Sequence, residues 1–142
     1  MTKRFNSFID FVLDHEGRYY ENDKNDPGGE THFGIDKRSH PKVDIKNLTE
    51  DGAREIYFSE WQSARCGALA PRLGEVHFDS VVNTGSGRAK RFLAASHNDP
   101  KKYNDERIAF YERLVAAKPK FARYLKGWKR RVYDLNKYLS IT

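Results

Sequence analysis

The chain has 142 residues, with 26 Lys and Arg against 20 Asp and Glu, and a formal net charge of +6. This length suits one sizeable core rather than two ordinary domains, and no linker rich in proline, glycine or serine divides the chain. The single cysteine excludes an internal disulfide framework. The five histidines have neither paired ligand spacing nor cysteine partners, so we predict no metal site and no cofactor.

The first predicted element is an amphipathic helix over residues 3–15, where apolar residues recur at spacings of three and four. Gly17 favours the left-handed turn that ends helices, which places Glu16 on the last turn. The dipole at a helix C-terminus disfavours negative charge, and apolar walls do the same, so we predict that the pKa of Glu16 is raised. Such a carboxylic acid can protonate a glycosidic oxygen at neutral pH.

A polar turn and a short hairpin are predicted directly after this helix. Residues 25–29 read NDPGG, a strong turn signal, and residues 30–33 alternate like a hairpin strand that Gly34 closes. Asp26 and Thr31 would lie on this hairpin facing the helix end, which makes them candidate catalytic partners of Glu16. Each has an ordinary alternative, because an aspartate before Pro-Gly-Gly is a common turn former and a threonine can simply hold a strand.

The same region contains candidates for substrate binding. Tyr20 and Glu30 flank the predicted turn, and we assign both to substrate contacts. An aromatic face suits the apolar C–H side of a pyranose ring, so Tyr19 and Trp61 are further candidates for stacking. Packing in the core is an equally open role for Trp61.

Most of the remaining chain is predicted to be helical. Thr49 followed by two acids indicates an N-cap, and Pro119 separates the last two helices. Two helices are predicted first, one over residues 3–15 and one that begins after Thr49. Further helices cover residues 72–84, 86–95 and 103–118, and a final helix follows Pro119. The predicted fold is therefore mainly α, with one small β-hairpin. We expect a single domain, residues 1–142, in which residues 1–85 form the catalytic half and residues 86–142 a helical half.

Asp79 and Asn83 are four residues apart on one face of an otherwise apolar helix. This spacing implies a buried polar pair that must find hydrogen bonds. We assign both residues to substrate binding on the floor of a cleft. The open alternative is that they only tie this helix to the hairpin.

The segment from residue 118 to residue 137 has eight basic residues against one acid, with aromatic residues interleaved. Such a segment is compatible with nucleic-acid binding. The aromatic spacing of four is more typical of a helix packed on the domain with its basic residues in solvent. We therefore expect no nucleic-acid partner, and we consider contacts between this helix and anionic polymers instead.

Three segments resemble the N-acetylmuramidases of glycoside hydrolase family 108, which occur in phage endolysins and bacterial lytic proteins. The first is EGRYYENDKNDPGGETHFGI at residues 16–35, and the second is FDSVVNTG at residues 78–85. The third runs from Arg107 and Tyr111 to YLKGWKRRV at residues 124–132. Together they cover most of the chain in order. The resemblance places the family's proposed catalytic glutamate on Glu16.

A more distant similarity to phage lysozymes implies a lysozyme-like fold. Those enzymes place a glutamate, an aspartate or cysteine, and a threonine on a helix end and hairpin. Glu16, Asp26 and Thr31 nearly reproduce that order. The aspartate stands one residue later than in the lysozymes, and Asn25 occupies the matching position.

The family resemblance implies a peptidoglycan hydrolase that lyses bacterial cell walls. It would cut the β-1,4 bond between N-acetylmuramic acid and N-acetylglucosamine with Glu16 as general acid, acting as a monomer on glycan strands. A lytic transglycosylase and a non-catalytic wall-binding module are the alternatives. The N-terminal residues have neither the apolar run of a signal peptide nor a membrane span. We thus expect synthesis in the host cytoplasm and release through another system, with anionic envelope polymers as further partners.

Overall fold

Six α-helices and one small sheet form the regular structure of residues 1–25 and 27–142, which this computed structural model describes. The helices are α1 (Lys3–Glu16), α2 (Glu50–Ser63), α3 (Leu73–Thr84), α4 (Ser86–Ser96), α5 (Pro100–Ala117) and α6 (Ala122–Tyr138). The strands are β1 (Tyr20–Glu21), β2 (Thr31–His32) and β3 (Ile35–Asp36). The prediction of a mainly α fold with a small hairpin is confirmed.

The sheet has the order β1-β2-β3, with both neighbouring pairs antiparallel. The predicted hairpin is formed by β2 and β3, which a turn at Phe33 and Gly34 connects. Strand β1 was not predicted; it pairs Tyr20 with His32 and Glu21 with Thr31. Since β1 is only two residues long, it has no alternation from which to recognise a strand.

Packing divides the chain into two compact units, Met1–Gln62 and Ser63–Thr142. The division falls at the end of α2, earlier than the boundary after residue 85 that we expected between the halves. A single domain over residues 1–142 stays a prediction.

In the first unit, local capping explains where α1 begins and ends and where α2 begins. The Thr2 hydroxyl accepts a hydrogen bond from the Phe5 amide at 3.2 Å, which caps the start of α1. Gly17, at φ 86°, ends the helix by donating its amide hydrogen to the carbonyl oxygen of Leu13. The predicted N-cap of α2 is also present, because the Thr49 hydroxyl accepts from the Gly52 amide at 3.0 Å.

Aromatic side chains fill much of the interior of the first unit. Phe5 meets Phe58 edge to face, with ring centroids 5.0 Å apart, and Trp61 in the same manner at 5.8 Å. Trp61 is only 2% exposed. Of its two open roles, packing in the core is therefore the one that the structure supports.

The second unit consists of α3 to α6 and two short 3-10 turns, at Cys66–Ala68 and Pro119–Phe121. Helix α5 begins three residues before its predicted start, because the Asp99 side chain caps it and Pro100 occupies its first turn, where a missing amide hydrogen costs little. The only cysteine, Cys66, is buried in the first 3-10 turn. Among the helices described, none is long and apolar enough to cross a membrane.

Candidate active site

Glu16 is the last residue of α1, and its side chain lies against the turn between β2 and β3. A Cβ atom placed on Gly34 would lie 2.7 Å from the Cβ of Glu16 and 2.7 Å from the hydroxyl of Tyr57. Real Cβ atoms essentially never approach other atoms so closely. Only glycine therefore fits at position 34 without moving the half-buried Glu16.

Tyr57 of α2 holds this turn in place. Its buried hydroxyl donates a hydrogen bond to the carbonyl oxygen of Phe33 at 2.7 Å. Phe33 has φ 55° and Gly34 has φ 78°, so both central residues of the turn lie in the left-handed region. A bulky residue there costs on the order of 1–3 kcal/mol and persists only where its surroundings enforce it. The hydrogen bond from Tyr57 thus fixes the surface on which Glu16 lies.

A charged network fixes the end of α1 relative to the start of α2. The Arg18 guanidinium donates to Glu50 Oε1 at 2.7 Å and to Asp10 Oδ1 at 3.2 Å, and it also binds Asp14. Arg54 binds the same Asp10 and Glu50 at 2.6 and 3.3 Å. The hydrogen bond from Arg18 lowers the pKa of Glu50. The network therefore orients the helix end that carries the candidate acid.

A second acid, Glu60 of α2, lies near the first. Glu60 Oε1 is 3.5 Å from Nε2 of His40. Burial raises the pKa of Glu60, the neighbouring His40 lowers it, and the charges of Glu16 and Asp36 raise it further, with a raised pKa as the net result. We refer to Glu16, Gly34, His40, Tyr57 and Glu60 together as the Glu16 corner.

The two predicted partners of Glu16 have different outcomes. Thr31 is the first residue of β2, half-buried, where it pairs with Glu21 of β1 and Asp36 of β3. Asp26 lies outside the described residues. The catalytic roles of Asp26 and Thr31 stay predictions.

Tyr20 of β1 interacts with Glu30, the residue that precedes β2. Desolvation raises the pKa of Tyr20, and the charge of Glu30 raises it further as the two side chains hydrogen-bond. Glu30 also lines an open groove of about 710 Å³ in the first unit, together with Asn22, Arg38 and Lys42. The groove offers acidic and basic side chains to a polar ligand. Its described lining includes Glu30 but not Glu16.

Asp79 and Asn83 are hydrogen-bonded inside the second unit. Asp79 Oδ2 accepts from Arg107 at 2.8 Å, and Asp79 Oδ1 accepts from Arg131 at 2.8 Å. Arg107 also donates to Asn83 at 3.0 Å and to the Tyr111 hydroxyl at 2.8 Å, and that hydroxyl in turn donates to Asn83. These five residues, the Asp79 network, tie α3 to α5 and α6.

Electrostatics in this network favour a permanently charged carboxylate. Both Asp79 and Arg107 are 0% exposed. Burial raises the pKa of Asp79, but the guanidinium groups of Arg131 and Arg107 outweigh burial and hold the pKa at about 2. The fully buried carboxylate favours a structural role for Asp79, but its partners lie on α5 and α6 and not on the hairpin to which we expected this helix to be tied.

Sequence reasoning assigned no function to three residues of the Glu16 corner. Neither Tyr57 nor Glu60 was assigned a role from the sequence, and His40 was recognised only as a histidine without metal-ligand spacing. The sequence nevertheless contained an indication of their role. A glutamate one turn after a tyrosine on a buried helix face needs a hydrogen-bond partner for its carboxyl group. The partners come from segments more than 15 residues away, which spacing along the chain does not reveal.

In the part of the chain that the structure describes, no group of three or more His, Cys, Asp or Glu side chains is arranged to hold a metal ion. The Glu16 corner contains carboxyl, imidazole and hydroxyl groups. A carboxyl group that is half-buried and faces other carboxylates is suited to hold and transfer a proton.

Comparisons with known proteins agree with this description. The family model of glycosyl hydrolase 108 matches residues 9–85, more than half of the chain. No curated protein matches the sequence. A solved structure, that of Brucella abortus SagA, is similar with a TM-score of 0.73 and 22% sequence identity, over 95% of this chain and 92% of that chain. At this identity the similarity shows a shared fold.

Proposed function

The chain belongs to glycosyl hydrolase family 108, and from this premise we propose that it is a peptidoglycan hydrolase. Its reaction is that of an N-acetylmuramidase, which cleaves the β-1,4 bond between N-acetylmuramic acid and N-acetylglucosamine. The observation that supports this most directly is the placement of Glu16. It ends a capped helix and lies against Gly34 of the hairpin, where the surrounding backbone and Tyr57 limit its movement.

The proposed reaction needs one proton donor and one water. Glu16 transfers its carboxyl proton to the glycosidic oxygen while the bond between that oxygen and C1 breaks. The oxygen of a water molecule bonds to C1, and the proton that this water loses passes to a second carboxylate. We assign the second carboxylate to Asp26 and the orientation of the water to Thr31. Reducing muramic acid and a free sugar hydroxyl are the products.

The substrate follows the polar groove beside the hairpin in this proposal. Glu30, together with Tyr20 beside it, contacts the sugar rings and their hydroxyl groups, and Arg38 and Lys42 meet the acidic groups of the muramic acid substituents. The fully buried Asp79 shapes α3 without contacting the glycan in this proposal, and a substrate contact of the half-buried Asn83 stays a prediction. The wall-lysing role of an endolysin is the biological consequence that we infer for such an activity.

The proposal is tested by digestion of purified peptidoglycan with the wild type, with Glu16→Gln, and with Glu55→Gln as a matched control. Glu55 is an exposed acid of α2, so its substitution removes the same charge away from the corner. Muropeptides are identified by mass spectrometry, and circular dichroism verifies that all three proteins are folded. We expect the wild type and Glu55→Gln to release muropeptides with reducing muramic ends. Glu16→Gln is expected to lose roughly 10²–10⁴-fold in rate.

Other outcomes of this digestion separate the alternatives. Anhydro-muramic ends would identify a lytic transglycosylase that uses the same glutamate. Binding to sacculi without release by any of the three proteins would refute hydrolysis and identify a wall-binding module. Equal release by the wild type and by Glu16→Gln would refute the assignment of Glu16.

An additional partner is proposed for the outer face of α6. Arg123, Lys126 and Arg130 are exposed there, and the exposed Tyr124 stacks on Trp128 with ring centroids 5.7 Å apart. Such a face suits anionic envelope polymers such as teichoic acids or lipopolysaccharide.

Substitution of these three basic residues by Gln is expected to weaken co-sedimentation with sacculi that retain their anionic polymers and to leave binding to stripped sacculi unchanged. The control replaces three exposed basic residues of α4 and α5 in the same way, namely Lys90, Arg91 and Lys102. An equal loss in the control would refute a specific role of α6.

A further inference from the structure

The polar groove and Glu16 lie at opposite ends of the hairpin formed by β2 and β3. Glu16 packs on Gly34, in the turn that joins the two strands. The groove is lined by residues at the open end of the hairpin, with Glu30 before β2 and Lys37 after β3. Since a strand rises about 3.3 Å per residue, about 10 Å of backbone separates Gly34 from Lys37.

The groove also lies on the face of the sheet opposite to Thr31. Residues paired across antiparallel strands share a face, and neighbours along a strand point to opposite faces. Thr31 therefore shares one face with its partner Asp36, whereas His32 shares the other face with Tyr20. Nδ1 of His32 donates to the carbonyl oxygen of Ile45 at 2.9 Å, and Ile45 lines the groove. The groove is thus on the His32 face.

Hydrogen bonds fix both walls of the groove. The Lys37 amide donates to the carbonyl oxygen of Glu30 at 2.9 Å, and the Arg38 amide donates to that of Gly28 at 3.1 Å. The Lys37 ammonium group donates to the carbonyl oxygen of Val43 at 2.9 Å, on the wall formed by the loop after β3. The groove is therefore formed before a ligand binds, which reduces the entropic cost of binding.

Two cations of the groove are available to an anionic ligand. Lys37 is bonded to the opposite wall, and Asp44 accepts from the Asn47 side chain at 2.9 Å. Arg38 and Lys42 are exposed, and neither forms an ion pair with any residue that the structure describes. Exposed arginine and lysine side chains beside polar groups suit a carboxylate. The groove therefore favours a sugar that has an acidic substituent.

We propose that the groove is a remote subsite: it binds a sugar that is separated from the cleaved bond along the same glycan strand, through the carboxylates of that sugar's substituent. This inference rests on the proposed function, in which the Glu16 carboxyl group hydrogen-bonds the glycosidic oxygen of the cleaved bond. The sugars at that oxygen lie at the turn, near the Thr31 face, and not at the open end of the hairpin. The substrate is therefore a strand of several sugars with acidic substituents.

The test compares the cleavage of two peptidoglycan fragments that both retain their peptide stems, a short one of four sugars and a long one of twelve. Mass spectrometry gives kcat and KM for each cleavable bond. The proteins are the wild type, the groove variant Arg38→Gln/Lys42→Gln, and Lys3→Gln/Lys102→Gln as a matched control. The control removes two exposed bases outside the groove. Circular dichroism verifies that all three are folded.

We expect the wild type to prefer the long fragment roughly tenfold in kcat/KM, which corresponds to about 1.4 kcal/mol. The groove variant should lose this preference through a raised KM for the long fragment and not through kcat, because the subsite binds substrate and transition state equally. The control should retain the preference. High salt should reduce the preference of the wild type, since the groove acts through exposed charges.

Three results would overturn the inference and leave the proposed hydrolysis in place. The first is equal kcat/KM of the wild type for the two fragments. The second is a preference for the long fragment that the groove variant retains. The third is an equal loss on both fragments in the groove variant, which would show that the groove contacts the sugars at the cleaved bond or their own peptide stems.

Binding to Glu16→Gln separates a failure of the inference from a failure of the proposed function, because binding requires no cleavage. We expect Glu16→Gln to bind the long fragment more tightly than the short one and to lose this difference when Arg38→Gln and Lys42→Gln are added. Equal binding of the two fragments by Glu16→Gln would overturn the inference. Groove-dependent binding together with a wild type that cleaves neither fragment would refute the proposed function and leave the groove as a glycan-binding site.

Discussion

The Glu16 corner of the first unit and the Asp79 network of the second place the same functional group in opposite environments. The carboxylate of Asp79 is fully buried between two guanidinium groups, which hold its pKa at about 2. The carboxyl group of Glu60 is half-buried and faces Glu16 and Asp36, and its pKa is raised. The surroundings of Asp79 favour a permanent charge that holds helices together. The surroundings of Glu60 favour an acid that can hold and release a proton. The charged and polar groups around an acid therefore determine whether it stabilises the fold or takes part in proton transfer.

The largest expected effect comes from Asp79→Asn. This change leaves Arg107 and Arg131 buried without their counter-charge, and breaking such a pair typically costs about 3–5 kcal/mol of unfolding free energy. Chemical denaturation measures the loss. Asp105→Asn is the control, since it breaks an exposed ion pair with Lys101 and should cost less than about 1 kcal/mol.

The same variant separates a structural from a substrate-binding role for Asp79. At temperatures where Asp79→Asn is folded, we expect its KM for peptidoglycan to equal that of the wild type. A raised KM together with unchanged stability would support substrate binding by Asp79 and contradict its structural role.

Gly34→Ala is expected to break the Glu16 corner at a smaller cost in stability. The new Cβ would lie 2.7 Å from both Glu16 and Tyr57 and would be held at φ 78°. We expect a loss of about 1–3 kcal/mol from the strained backbone and a fall in activity on the order of 10²-fold from displacement of the acid.

Gly29→Ala provides the matched control for backbone strain. Gly29 has φ 74°, but the nearest atom to its added Cβ lies 3.8 Å away. Its stability loss measures the strain alone. If Gly34→Ala lost no more stability than this control and kept full activity, the close packing of Glu16 on the turn would be irrelevant to the reaction.

Acid unfolding should report on two buried groups of the second unit, His77 and Asp79. Burial and the charge of Lys90 lower the pKa of His77 to about 4, so its neutral form stabilises the fold, and this stability is lost as pH falls from about 6.5 to about 4. The lowered pKa of Asp79 adds a second loss from about 3.8 to about 2. Unfolding free energy measured against pH should decline by at most about 1.4 kcal/mol per unit for each proton.

His77→Gln is expected to flatten only the first of these two windows. The Asp79→Asn variant should flatten only the second, below pH 4. A decline between pH 6.5 and 4 that persisted in His77→Gln would refute the assignment of this window to the buried imidazole.

The smallest expected effect is that of Arg18→Gln at the charged network beside the corner. Arg18 is 36% exposed, so solvent screens its bonds to Asp14 and Glu50, and we expect a loss of about 0.2–1 kcal/mol. The loss should shrink at high salt. A loss that salt does not reduce would indicate packing by the side chain and not charge.

Family membership and the helical pattern were both predicted correctly from the sequence. The match to glycosyl hydrolase 108 confirms the resemblance seen in the motifs. The start of α2 at Thr49 and the end of α1 at Gly17 follow from capping rules that involve only neighbouring residues. The placement of Glu16 on a helix end followed from the same rules.

Other features were not predictable because they depend on pairing between distant segments. Strand β1 is recognisable only by its pairing with residues ten and twelve positions later. The polar pair Asp79 and Asn83 was expected to need hydrogen bonds, but the choice of Arg107 and Arg131 as partners depends on how α5 and α6 pack on α3.

Periodicity, caps and turn residues act over a few positions, so the chain alone specifies where its helices lie and that Glu16 ends one of them. Which groups surround each acid depends on contacts between segments far apart in sequence. Only folding brings Gly34 and Tyr57 to Glu16 and His40 to Glu60, and only folding gives Asp79 two guanidinium groups. The pKa of an acid is set by the charges and the solvent around it, and these exist only in the folded protein.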